Sequence, residues 1–225
     1  WLSMPRVAST IKIHTSAFYN YSVNSVLNKV RPLPPRVDFS FNVGYGWLPK
    51  TEGLTGTDKQ FDDKLTSGLA WDLAFHHYIK NFGWGIFYSG YSSDSYYEKT
   101  NMDHNVLFSY IAPLFCTKYS FNKKWMINGE VGIGYLKFSD KISSGIEKGK
   151  TYVSTIGFNY GIEIEYKLNK HMGIGISFNE IIGSAFLKNI KMENVHSTIV
   201  YNDYDRINLN RFNLLGGIRF YFGDR

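Results

Sequence analysis

Between residues 37 and 222 the sequence repeatedly alternates apolar residues with polar or very small ones, and no other feature limits the possible folds as strongly. A period of two places successive side chains on opposite faces of an extended strand, so each such run predicts a strand with one apolar and one polar face. In the first run Val37, Phe39, Phe41, Val43 and Tyr45 alternate with Asp38, Ser40, Asn42, Gly44 and Gly46. The second interleaves Leu69, Trp71, Leu73 and Phe75 with Ala70, Asp72, Ala74 and His76, and the third sets Phe82, Trp84, Ile86 and Tyr88 against Gly83, Gly85, Phe87 and Ser89. Runs five to eight repeat the pattern, most cleanly in run six, where Ile156 to Leu168 alternate with Gly157 to Lys167. Run four, at about residues 105 to 119, is different: Val106, Phe108, Tyr110 and Leu114 share one phase while Ile111 and Phe115 hold the other. Its facing stays open, and Pro113 predicts the loss of one ladder hydrogen bond.

The chemistry of the two faces decides between a soluble and a membrane barrel. A soluble barrel or sandwich turns its apolar face inward and shows water a face rich in Lys, Glu and Thr. Here the polar face is rich in Gly, Ala, Ser and Asn, small enough for a crowded lumen, while the apolar face carries Tyr45, Trp71, Trp84, Trp125, Tyr135 and Tyr166 near strand ends, as an aromatic girdle does. The connections give a second signal. Lys80–Asn81, Asn122–Lys123–Lys124 and Asn169–Lys170 are short, and longer polar segments such as Pro49 to Lys64 and Lys188 to Asp205 are expected after runs one, three, five and seven. The fold class expected is all-β: an eight-stranded antiparallel up-and-down transmembrane β-barrel over residues 37–225, with short periplasmic turns and long extracellular loops.

Composition agrees with this and removes alternatives. No stretch approaches the roughly 18 apolar residues of a membrane-spanning helix, and a mean hydropathy of -0.24 is what an alternating barrel gives. The net charge of +6 comes from scattered basic residues, several of them in the short turns, so nucleic acid is not an expected partner. A single cysteine, Cys116, rules out an internal disulfide and a multi-cysteine metal site, and adjacent His76 and His77 point to opposite faces; no metal or cofactor is expected. Residues 1–36 are read as an N-terminal periplasmic extension ending in a proline-rich linker, Arg31 to Arg36, and the chain, which opens at Trp1, as one whose export signal is already removed.

Gly44–Tyr45–Gly46, Lys64 to Gly68, Gly83 to Ile86 and the closing Leu215 to Phe220 resemble the small outer-membrane β-barrel proteins of Bacteroidota. Architecturally the resemblance is to the barrel of the outer-membrane protein A family, without the peptidoglycan-binding domain that often follows it. It implies a bacterial outer-membrane location with both termini periplasmic. Gly217, Phe220 and Phe222 look like the C-terminal signal read by the barrel assembly machinery, with Leu215 where a polar residue is usual and Gly223–Asp224–Arg225 following the last aromatic.

Candidate chemistry gathers on the polar face: Asp38, Asp72, Glu130, Glu163, Glu165, Lys167, Arg211 and Arg219. In a lumen too narrow for open water these must pair with one another. Closure between the first and last strands is expected to bring Asp38 near Arg219 or Arg211, and Glu130 and Glu163, on adjacent strands, to need a cation or a shared proton. His171, Ser177 and Glu180 share a strand, but six residues, about 20 Å, separate His171 from Ser177, too far for a proton relay. The protein is therefore not expected to be an enzyme. The expectation is a structural or accessory subunit of a larger outer-membrane assembly, in contact with outer-membrane lipid and lipopolysaccharide and with an outer-membrane protein partner, the last through its N-terminal tail and loop tyrosines such as Tyr96, Tyr97, Tyr201 and Tyr204. A small pore or ligand-transfer barrel is the alternative, and a lipid-modifying barrel enzyme a more remote one.

Overall fold

The computed structural model describes residues 33–49, 66–97, 102–144, 147–186, 191–193 and 206–223. All its regular elements are strands: β1 (Val37–Trp47), β2 (Ser67–Ile79), β3 (Phe82–Tyr97), β4 (Met102–Ser120), β5 (Trp125–Ser144), β6 (Glu147–Lys167), β7 (Met172–Phe186), the short β8 (Lys191–Glu193) and β9 (Arg206–Asn208), and β10 (Arg211–Phe222). Each long strand pairs antiparallel with the next, β10 joins β7 to β1, and the sheet closes into a ring of eight. β8 pairs with β6, and β9 extends β10 in the same register against β7.

The ring is staggered. Partner by partner from Val37 through His77, Trp84, Phe115, Val131, Tyr160, Glu180 and Phe212, the ladder returns to β1 at Trp47, ten residues beyond its start. With eight strands, that displacement tilts each strand by about 40° and gives a backbone radius of roughly 8 Å, too narrow for anything but side chains.

The outward face is apolar: Phe39, Phe41, Val43, Ile86, Ile133, Ile162, Ile164, Ile174 and Ile176 are all exposed. So large a continuous apolar surface fits hydrocarbon and not water. The inward face is largely buried, with Asp38, Asn42, Asp72, His76, Asn128, Glu165, Asn179, Arg211 and Arg219 on it. β4 resolves its ambiguity in favour of the even phase: Val106, Phe108, Tyr110, Ala112, Leu114, Cys116 and Lys118 are buried inside, and Ile111 and Phe115 face out. Pro113 accounts for the local break, since the β4–β5 ladder skips residues 112 and 113 and resumes in the same register.

The short turns share an asparagine device. The Asn122 side-chain oxygen accepts from the amides of Lys124 and Trp125, and Asn169 does the same for His171 and Met172. At Lys80 the backbone takes a φ of 63°, and Asn81 docks the turn onto β4 through its carbonyl and side chain, both bonded to Lys118. The strand ends at 36 and 223 lie on this same rim, tied by the Arg36 amide to the Gly223 carbonyl.

At the opposite rim two of the expected long connections are taken up by strand. β3 and β4 stay paired for five residues beyond the last β2 contact, up to Tyr97 and Met102, and β5 and β6 pair up to Ser144 and Glu147. Tyr96 and Tyr97 are strand residues for the same reason, and Tyr96 is exposed. The expected loops Pro49 to Lys64 and Lys188 to Asp205, with Tyr201 and Tyr204, fall outside the described residues except at Pro49 and 191–193, and so does the extension 1–36 except at 33–36.

Candidate functional site

The lumen is occupied from rim to rim by side chains, in three zones. Nearest the short turns lies a charged cluster. Asp38 on β1 stands directly across from His76 on β2 and Tyr221 on β10. His76 Nδ1 is 2.7 Å from Asp38 Oδ1, and its Nε2 is 3.2 Å from Glu130 Oε2, so each ring nitrogen faces a carboxylate. Lys118 reaches across from β4 to join Asp38 and Glu165, the latter at 2.7 Å, and the Tyr221 hydroxyl donates to Glu165 at 2.9 Å. Lys118 also lies 5.1 Å from the Tyr78 ring, whose hydroxyl donates to Asn128. Arg219 pairs with Glu163. Gly173 and Gly175 make the space for this zone, because a Cβ there would meet the Tyr221 hydroxyl at 2.4 Å and the Arg219 guanidinium at 3.0 Å.

The middle zone is an amide relay. Asn42 and Asn179 donate to the two oxygens of Asp72, at 2.5 and 3.0 Å, and Asn213 donates to Asn179 at 2.6 Å. The far zone is apolar, with Phe87, Phe108, Leu136, Val153, Ile181, Leu209 and Leu215 in one core. Arg211 is embedded in it, its guanidinium 4.5 Å from the Phe108 ring and 5.7 Å from Tyr91, and it donates to Ser89.

Two expected pairings are corrected. Asp38 meets neither arginine: Ser40 is the residue across from Arg219, and Asp38 pairs instead with Lys118 and His76. Glu130 and Glu163 do not share a cation or proton, because Glu130 has His76 and Glu163 has Arg219. Lys167 stands half-buried at the mouth, 5.3 Å from the Tyr221 ring. Lys118, His76, Tyr78 and Tyr221 join the cluster without having been singled out as members. Lys118 is hidden by the mixed phase of run four and Tyr78 by aromatic character that reads as apolar, whereas His76 and Tyr221 stand on the polar phase of their runs. Cys116 is buried in the lumen beside this cluster, and among the described residues no group of three or more His, Cys, Asp or Glu is arranged to hold a metal.

The six girdle aromatics all lie on the outward phase. Trp84, Trp125 and Tyr166 sit toward the short-turn rim, with Trp125 and Tyr166 in edge contact at 4.9 Å, and Tyr45, Trp71 and Tyr135 toward the other. Trp71 lies over Gly90 on β3, where a Cβ would fall 2.3 Å from the indole. Phe220 and Phe222 also point outward, while Gly217 faces the lumen.

One polar pair interrupts the apolar face. Glu180 stands on the outward phase of β7, between Phe178 and Ile182, and accepts from the hydroxyl of Tyr160, its partner on β6. Ser177 points into the lumen, on the opposite face from Glu180, so a relay between them is excluded by facing as well as by distance. Tyr160→Phe is expected to cost about 1–3 kcal/mol, because it strips the buried carboxyl of its donor in an apolar setting, whereas Glu180→Leu is expected to be near neutral. Urea midpoints of the two variants in detergent check this.

No protein-family model and no curated protein matches the sequence. Among solved structures, the outer membrane protein OprG from Pseudomonas aeruginosa is similar at a TM-score of 0.50 and 12% identity, over 86% of this chain and 98% of that one. Neisserial surface protein A is similar at 0.49 and 10%, over 83% and 97%. Ail, the attachment invasion locus protein of Yersinia pestis, is similar at 0.48 and 14%, over 82% and 99%. At 12% identity the likeness to the outer membrane protein OprG is one of fold alone, that of an outer-membrane β-barrel.

Proposed function

We propose that this protein is an outer-membrane barrel of the kind found in Bacteroidota, with its short turns and both termini in the periplasm, acting as a structural or accessory subunit of a larger outer-membrane assembly. The observation that carries the reading is the filled lumen. A charged cluster, an amide relay and an apolar core succeed one another along the axis, which favours a role for the surfaces outside the barrel wall. The β3–β6 strands that outrun β2 supply such a surface, a sheet that projects roughly 15 Å past the last β2 pair. In this reading lipid, lipopolysaccharide included, surrounds the apolar belt, and the outward Phe220 and Phe222 are where the barrel assembly machinery would read the last strand.

Three measurements test it. Purified protein in a planar bilayer is expected to give no discrete conductance steps, and a stable ohmic channel would favour the pore reading instead. Extraction of native membranes in mild detergent is expected to recover the chain with larger partners in fixed ratio. A lone 25.9 kDa species would sink the subunit reading, and recovery in buffer without detergent would sink the membrane reading itself.

A further inference from the structure

Above Gly157 and Gly183, the last β6–β7 pair, the two strands part: β7 keeps β9 on the edge it shares with β10, and β6 takes up β8. The Thr155 hydroxyl still donates to the Ser184 carbonyl at 2.9 Å across the divergence. Outside this seam lies an open cleft of about 560 Å³, within the range of small-molecule sites. Its lining is graded along the barrel axis. The end nearer the middle of the barrel is apolar, with Ile133, Ile156, Phe158 and Ile182, and the end toward the long-strand rim is polar, with Ser184, Asn208 and Arg206. The grading follows the wall itself: along the outward phase Ile182 gives way to Ser184 on β7, Ile156 to Ser154 on β6 and Tyr135 to Lys137 on β5. The cleft therefore straddles the boundary between the apolar belt and the polar rim.

Among the described residues, Arg206 is the only charged one lining the cleft. Its guanidinium rests 4.3 Å from the Phe186 ring, which orients it, and among the described residues no carboxylate pairs with it. An arginine held by an aromatic face at the polar end of an apolar groove suits an anion that carries a hydrocarbon tail.

We propose that this cleft is a lateral binding site for one phosphate-bearing lipid, its acyl chain along Ile156, Phe158 and Ile182 and its phosphate on Arg206. The site rests on the membrane reading above but not on the orientation of the barrel, since the ligand comes from whichever leaflet borders the long-strand rim. A zwitterionic phospholipid has the same chains, but its phosphate is already neutralised by its own amine; the guanidinium therefore selects the anionic lipid.

The full chain, refolded in detergent, would be titrated with dioleoyl phosphatidic acid, dioleoyl phosphatidylcholine and inorganic phosphate, with bound lipid read by native mass spectrometry. Wild type is expected to retain one phosphatidic acid, at least about tenfold more tightly than phosphatidylcholine, with no displacement by inorganic phosphate. Arg206→Gln, which removes the charge, and Ile182→Trp, which fills the apolar end, are each expected to weaken retention by about tenfold. Heat-modifiable gel mobility confirms that both variants are folded before they are compared. Equal retention of the two lipids, or wild-type retention by both folded variants, would overturn the site. Recovery of the chain as a water-soluble monomer would instead overturn the membrane reading on which it rests.

Discussion

Replacing Lys118 with methionine is expected to lower the stability of the folded barrel by about 3–5 kcal/mol, the cost of leaving buried charge uncompensated. Lys118 is fully buried and bonds both Asp38 and Glu165, themselves buried, so the substitution removes the one permanent cation between two carboxylates. Among the described residues the buried carboxylates next to Lys118 have no second buried permanent cation of their own: Arg219 is held by Glu163, Arg211 sits in the apolar zone, and Lys167 stands half-buried at the mouth. Adding Glu165→Gln is expected to restore more than half of the loss, because the amide can still accept from Tyr221 and Asp38 keeps His76. Urea-induced loss of heat-modifiable mobility measures all three proteins. A single variant within about 1 kcal/mol of wild type would show that the cluster does not hold the barrel together.

Gly217→Val should do comparable damage by steric means alone. A Cβ at Gly217 would stand 1.9 Å from the Phe41 carbonyl oxygen and 2.5 Å from the Asn42 side-chain oxygen, on the β1–β10 seam that closes the ring. A backbone carbonyl cannot rotate aside as a flexible side chain can, so the seam must part locally, and the loss expected is about 3 kcal/mol or more. Gly216→Val, one residue away on the outward phase with nothing closer than 3.9 Å, serves as the control and is expected to fold normally. If the two variants refold with equal yield and equal urea midpoints, the closeness of the seam has been misjudged.

The two faces of the barrel were legible because alternation over eight runs leaves one arrangement that buries the polar face and shields the apolar one. Run six needed nothing more, since Ile156 to Leu168 hold a single phase. Run four could not be read locally: its inner face is apolar toward one rim and ends in Cys116 and Lys118 toward the other, so hydrophobicity changes sides part-way along the strand. The lumen residues themselves could be chosen by phase, but their partners could not. Asp38 and Lys118 are 80 positions apart and meet across the lumen, not along a ladder, and their meeting depends on a stagger that no single run encodes. Adjacent-strand logic therefore points to Arg219 or Arg211 for Asp38, where the register places Tyr221. The lateral cleft was beyond reach for a related reason, because it arises where β6 and β7 cease to pair.

The ten-residue stagger also sets rules for how such a chain can change length. Inside and outside alternate every residue, so only an even displacement lets the ring close with each strand facing the same way on both seams. One residue lost within a strand would turn every side chain beyond it inside out, sending part of the charged cluster toward hydrocarbon and part of the apolar belt into the lumen. Two residues lost would preserve facing but change the stagger, and with it the tilt and the bore. Length variation among related barrels should therefore collect at the tips of the long hairpins and spare the walls, so that these proteins can diversify what they present outside while the cylinder beneath keeps its dimensions.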